Sequence, residues 1–114
     1  MMDATVCDLS KRSCKPCEGG VSPLEQAKID LLLKELSGWE QAGNEIVKTY
    51  CFKNYHETMA FVNATAWVSH REENPPDLAV GYNQCRVRYS THAIGGLSEN
   101  DFICAAKIDS LFGI

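Results

Sequence analysis

Apolar positions along the chain change their spacing in a fixed order, and each change marks an element. Leu24, Ala27, Leu31, Leu32 and Leu36 supply an apolar stripe at helical spacing. Ser22 stands before Pro23, whose missing N–H is harmless at a first helical position, and Glu25 completes Ser-x-x-Glu. The pattern predicts a helix from this capped start to the Ser37-Gly38 stop. From residue 45 the period falls to two: Ile46, Lys48, Tyr50 and Phe52 point one way, and Val47, Thr49 and Cys51 the other. That segment is expected to be a strand, paired with a short one around Trp39-Glu40 across Ala42-Gly43-Asn44.

Helical spacing returns at Phe61, Ala64, Thr65 and Val68, behind an Asn54 N-cap with Glu57 three residues on. Asn74-Pro75-Pro76 must end this second helix near Glu73, because proline lacks the backbone donor and pushes its predecessor toward extended geometry. Residues 78–82 and 85–91 then read as a hairpin around Asn83-Gln84, with Cys85, Val87 and Tyr89 alternating against Arg86, Arg88 and Ser90. Gly95-Gly96 makes the next turn. Ser98 caps a third helix with Asp101 in its first turn, Leu97 can pack on Phe102, and Phe102, Ala105, Ala106, Ile108 and Leu111 form the apolar side. The order α-β-β-α-β-β-α suits the α+β class, a four-stranded antiparallel sheet with helices packed on one face. Residues 1–20 lack any sustained period and read as an N-terminal arm that orders only if something holds it; residues 21–114 read as a single domain.

Composition narrows the function classes. At 114 residues the chain can bury one core unaided, and a formal net charge of −4 offers no broad basic surface for nucleic-acid phosphates. No apolar run is long enough to span a membrane and the N-terminus lacks the order of a secretory signal, so no membrane partner and a cytoplasmic location are expected. The six cysteines read as reduced. Cys14-Lys15-Pro16-Cys17 has no second close Cys or His pair for zinc and does not follow a strand, so it reads as ordinary arm, with metal or redox use as the alternative.

The informative stretch is RVRYSTHAIGGLSENDFICAAKID at 86–109, which places His92 at the exit of a strand ahead of a glycine turn and a capped helix. Its core, THAIGGLSENDF, resembles the C-terminal signature of the pterin-4a-carbinolamine dehydratases. CKPCEGG in the arm, GWE after the first helix, FKNYHETMAFVNATA entering the second and PDLAVGYN before the hairpin sit where that family has similar segments.

The resemblance implies dehydration of a 4a-hydroxytetrahydropterin to the quinonoid dihydropterin, which recycles the cofactor of aromatic amino acid hydroxylases. It implies neither metal nor organic cofactor, and a homodimer or homotetramer. The chemistry needs a base for the ring N5 proton and an acid for the departing hydroxyl, work suited to histidine as a side-chain type. The family usually presents His-His-Pro after the second helix and a further His in the Thr-His segment. Here Asn74 and Pro75 stand where the paired histidines are expected, and His92 matches the third. By resemblance, His92 is the catalytic candidate, and Glu73, Asn74, Pro75, Ser90, Thr91, His92 and Ala93 form the substrate-binding set.

Other polar residues have structural explanations. His70, one helical turn before Asn74, could substitute for a lost imidazole, but it lies in a polar His-Arg-Glu-Glu run that suits a solvated surface. His56, Glu72 and the Arg86/Arg88 face read as solvated, and Asp101 as a helix-terminal charge outside the catalytic set. The competing class is a noncatalytic member of the fold, an interaction, coactivator or assembly factor. Loss at residues 74–75 favours that class; the retained His92 favours the enzyme.

Overall fold

Two hairpins and three helices interleave to build one sheet covered on a single face. The computed structural model describes residues 9–15 and 22–111. Helix α1 is Gln26–Leu33, strands β1 and β2 are Glu40–Ala42 and Glu45–Cys51, and helix α2 is Tyr55–Glu72. Strands β3 and β4 are Asp77–Val80 and Gln84–Tyr89, and helix α3 is Glu99–Ser110. The four strands are antiparallel in the order β1-β2-β4-β3. This is the expected α+β architecture with its α-β-β-α-β-β-α order.

Alternation decides which sheet face is covered. Ile46 and Tyr50 on β2 are buried together with Cys85, Val87 and Tyr89 on β4, while Thr49, Arg86 and Arg88 are exposed on the opposite face. Ile46 opposes Tyr89, Lys48 opposes Val87 and Tyr50 opposes Cys85, so register gathers the buried apolar side chains of the pair on the helix side. Phe102, Cys104, Ala105 and Ile108 of α3 and Phe61 of α2 meet them there, each at most 2% exposed. The Asn54 side chain accepts from the Glu57 N–H and starts α2 at its expected cap.

The first helix departs from expectation. Residues 22–25 are not helical and Ser22 provides no cap: α1 begins at Gln26, with Glu25 in extended geometry before it. The Leu24 N–H instead donates to the Leu97 carbonyl at 2.9 Å, and Pro23 lies against Gly96, where an added Cβ would come within 2.8 Å of the proline. A long-range contact therefore outbids the local capping signal, and Gly96 is needed for close approach. The helix also ends early, at Leu33, and residues 34–38 form turns. Only Ile29 and Leu32 of α1 are buried; Leu31, expected on the apolar stripe, is 58% exposed.

The second hairpin turns one residue earlier than expected. Gly81, Tyr82 and Asn83 connect the strands, Gly81 N–H donates to Gln84 O at 2.8 Å, and Val80 opposes Cys85. Part of the expected arm rests on the core: Leu9 is buried in a short 3-10 turn, Leu9–Lys11, and Lys107 Nζ of α3 donates to Ser10 O at 2.8 Å. The remaining arm residues, Cys7 and Cys17 among them, lie outside the described residues.

Candidate functional site

Where α2 stops and β4 exits, the chain leaves a polar cleft of about 440 Å³, within the size range of small-molecule sites. Two irregular segments line it. The first follows α2: Glu73 adopts left-handed geometry (φ 55°), and Asn74 and Pro75 continue along one wall. The second follows β4: Ser90, Thr91, His92 and Ala93 form the facing wall. Every residue of the expected binding set therefore lines a single cleft, although the two segments are far apart in sequence.

His92 opens a short 3-10 turn, His92–Ile94, and its side chain is solvent-exposed. Backbone pairing fixes the turn. Thr91 and Gly96 form an isolated antiparallel bridge, with Thr91 N–H donating to Gly96 O at 2.9 Å, and Gly95 ends the turn at φ 70°, a conformation suited to glycine. The imidazole is thus carried on a closed loop anchored at both ends.

Asp101 organises the floor beneath. Although it is a carboxylate it is fully buried, and its Oδ2 accepts from the Ser98 N–H at 3.0 Å and the Thr91 hydroxyl at 2.9 Å. The Thr91 and Ser98 hydroxyls also meet at 2.7 Å. Asn74 Nδ2 reaches Asp101 Oδ1 at 3.4 Å and Cys104 Sγ at 3.5 Å. Burial pushes the Asp101 carboxyl up from its usual range, opposed by the hydrogen bonds from Ser98, Thr91 and Asn74 and by the nearby His92. One buried acid thus ties the 74–75 wall to the 90–93 wall. Its place in the Ser98 start of α3 suggested only a terminal charge; its link to Asn74 arises in three dimensions.

Cys14, Lys15, Arg71, Glu72 and Asn100 complete the lining. The Cys14 N–H donates to Glu72 Oε1 at 2.9 Å, and Lys107 stands 3.7 Å from Glu72 Oε2. Burial works against Glu72 ionisation, but the Cys14 N–H and the Lys107 ammonium outweigh it and hold the carboxyl below its usual range. Glu72, expected to be solvated, is a largely covered anchor with its side chain 9% exposed. His70 is exposed on α2 beside Trp67, ring centroids 6.2 Å apart, and is not among the cleft residues; His56 is exposed as well. Among the described residues no group of three or more His, Cys, Asp or Glu is placed to hold a metal ion, and no helix is long and apolar enough to cross a membrane.

The fold and the cleft define an α+β protein with a small-molecule-sized polar site at the exit of its second hairpin. The family model for pterin 4 alpha carbinolamine dehydratase matches residues 22–111, and the chain belongs to that family. A protein from Nitrosospira multiformis, provisionally named a pterin-4-alpha-carbinolamine dehydratase, is 62% identical over 99% of this chain and 100% of its own length. One from Nitrosomonas europaea with the same provisional name is 68% identical over 94% of this chain and 96% of its own. Among solved structures, a transcriptional coactivator/pterin dehydratase from Brucella melitensis superimposes with a TM-score of 0.76 over 79% of this chain and 98% of that one; at 23% identity this shows the fold. A pterin dehydratase-like protein described as a RuBisCO assembly factor in the alpha-carboxysome gives a TM-score of 0.57 at 25% identity, over 67% of this chain and 90% of that one.

Proposed function

We propose that this protein dehydrates a 4a-hydroxytetrahydropterin to the quinonoid dihydropterin and water, with His92 as the proton-transfer residue and Glu73, Asn74, Pro75, Ser90, Thr91 and Ala93 as the substrate rim. The observation that carries the reading is the solvent-facing imidazole on an anchored loop in a cleft of about 440 Å³, opposite the Asn74 wall. Elimination across N5–C4a breaks the N5–H and C4a–O bonds and forms the N5=C4a double bond. Neutral imidazole takes the N5 proton; the imidazolium so formed returns one to the departing hydroxyl, which leaves as water. The proton inventory balances, and a single histidine in exchange with solvent can serve both steps.

Asn74 and Pro75 define the chemistry of the opposite wall. An amide donates and accepts hydrogen bonds without titrating, and proline has no polar side-chain group. The wall therefore positions the ring rather than moving protons, which makes this a slower dehydratase than one with three imidazoles; each well-placed acid or base contributes about 10²- to 10⁴-fold in rate.

Dehydration of freshly generated 4a-hydroxytetrahydropterin, followed above its spontaneous rate, tests the reading. His92→Ala is expected to lower the catalysed rate at least ~10²-fold with stability unchanged within ~0.5 kcal/mol. Asn74→His/Pro75→His is expected to raise it. A native chain with no acceleration beside an active double variant would instead favour a noncatalytic interaction or assembly role, the class to which the carboxysomal neighbour's description belongs.

A further inference from the structure

Behind the Asn74 wall lies a pair of sulfurs that dehydration does not use. Cys14 Sγ stands 3.5 Å from Cys104 Sγ of α3 across 90 positions of sequence, and both are free thiols. Sequence spacing pairs Cys14 with Cys17; the fold brings it to Cys104. Cys14 is half-buried and lines the cleft, whereas Cys104 is fully buried. The strap of residues 9–15 is held in place by the Cys14 N–H bond to Glu72 at 2.9 Å and by the Lys15 N–H bond to Asn100 Oδ1 at 3.0 Å. A disulfide would require the sulfurs to move about 1.5 Å closer. Cys14 lies in irregular backbone, which can absorb that shift while the helix carrying Cys104 stays fixed.

We infer that Cys14 and Cys104 form a redox modification site: a low-molecular-weight disulfide oxidises them to an intramolecular bond that locks the 9–15 strap onto α3 beside the cleft. The reagent reaches the sulfur with exposure first. Cys14 displaces one half of the reagent as a thiol and becomes a mixed disulfide. The Cys104 thiolate then attacks Cys14 Sγ, forms the protein disulfide and releases the second half. Two protein thiols lose two electrons and two protons, and one reagent disulfide is reduced to two thiols.

The polar surroundings favour the second step. In the resting pair, hydrogen bonding from Cys14 holds the Cys104 thiol below its usual range against the opposing effect of burial; once Cys14 carries the reagent half it no longer donates, and the Asn74 amide, 3.5 Å from Cys104 Sγ, still does. The contact with Cys104, with burial, pushes the Cys14 thiol up, so the first exchange is slow, and the resolving step rests on the 3.5 Å approach of the two sulfurs. The inference is independent of dehydratase activity, because its readout is a covalent bond.

Reduced, full-length protein is equilibrated under native conditions with oxidised glutathione, alkylated, digested and read by mass spectrometry. Exposed Cys51 serves as the internal control for reagent access. The native chain and Cys17→Ser are expected to yield the Cys14–Cys104 cross-linked peptide. Cys104→Ser should accumulate glutathione on Cys14 at least tenfold over the native chain, and Cys14→Ser, a change on the strap rather than in the core, should leave Cys104 unmodified. A Cys14–Cys17 bond in the native chain, or free Cys14 once Cys51 is fully modified, would overturn the assignment.

Discussion

Two of the concavities along the described residues differ in their chemistry: the larger holds ionisable groups that pair with one another, the smaller an exposed imidazole. A groove of about 890 Å³ runs between β2 and α2, lined by Tyr50, Phe52, Phe61, Ala60 and Ala64 and closed at one end by Lys48 and Asp109. At that end Lys48, Tyr50 and Asp109 satisfy one another. Asp109 accepts from the Tyr50 hydroxyl, from Lys48 Nζ at 2.9 Å and from Trp39 Nε1 at 3.1 Å, and the Lys48 ammonium also lies 4.8 Å from the Tyr50 ring centroid. Burial, and then the Asp109 carboxylate, push the Tyr50 hydroxyl up, which keeps it a donor. The His92 cleft, about half that volume, pairs an exposed imidazole with a buried acid that fixes both walls. Apolar area makes a groove; a proton carrier held over a fixed polar floor makes a candidate for catalysis.

The sharpest way to break the contrast is to remove that floor. Asp101→Ala leaves the Ser98 N–H and the Thr91 hydroxyl short of an acceptor in a fully buried setting and is expected to cost ~3 kcal/mol in urea denaturation. A loss below ~1 kcal/mol would mean that the two walls hold their positions without it. Asp109→Asn tests the other concavity: Lys48 loses its charge partner and the Tyr50 and Trp39 donors are weakened, so stability should fall by ~1–2 kcal/mol while pterin dehydration is unchanged. A matching fall in rate would erase the distinction between the regions.

Smaller effects test the cleft rim. The Glu72 carboxyl is depressed in the folded state, so its contribution is present above the ordinary glutamate range and is lost as pH falls through the folded value. Native protein should therefore exceed Glu72→Gln by ~1 kcal/mol at pH 7, and the two should converge in acid; thermal melts across pH 3–7 read the difference. A constant gap would move the stabilisation from charge to packing. Glu73 holds φ 55°, which costs a side-chain-bearing residue and not glycine, so Glu73→Gly should stabilise the fold by up to ~1 kcal/mol by the same melts. Destabilisation would show that the Glu73 side chain earns its place on the rim.

What could be read locally was legible in the residues. Period-two alternation from Ile46 to Tyr50 and from Cys85 to Tyr89 set the buried sheet face because a strand offers only two sides. Asn54 and the Asn74-Pro75-Pro76 run bounded α2 because capping and the missing proline donor act within a few residues. Resemblance, rather than periodicity, singled out His92 and its two flanking segments. The Ser22 cap signal was as clear as that of Asn54, yet Leu24 pairs with Leu97 instead, because a distant carbonyl competes successfully for the same N–H. Only the tertiary structure could bring Asn74 to Asp101, Cys14 to Cys104 and Glu72 to Lys107. Local spacing fixes which side of an element is apolar, whereas which polar groups meet across the fold depends on how those elements pack.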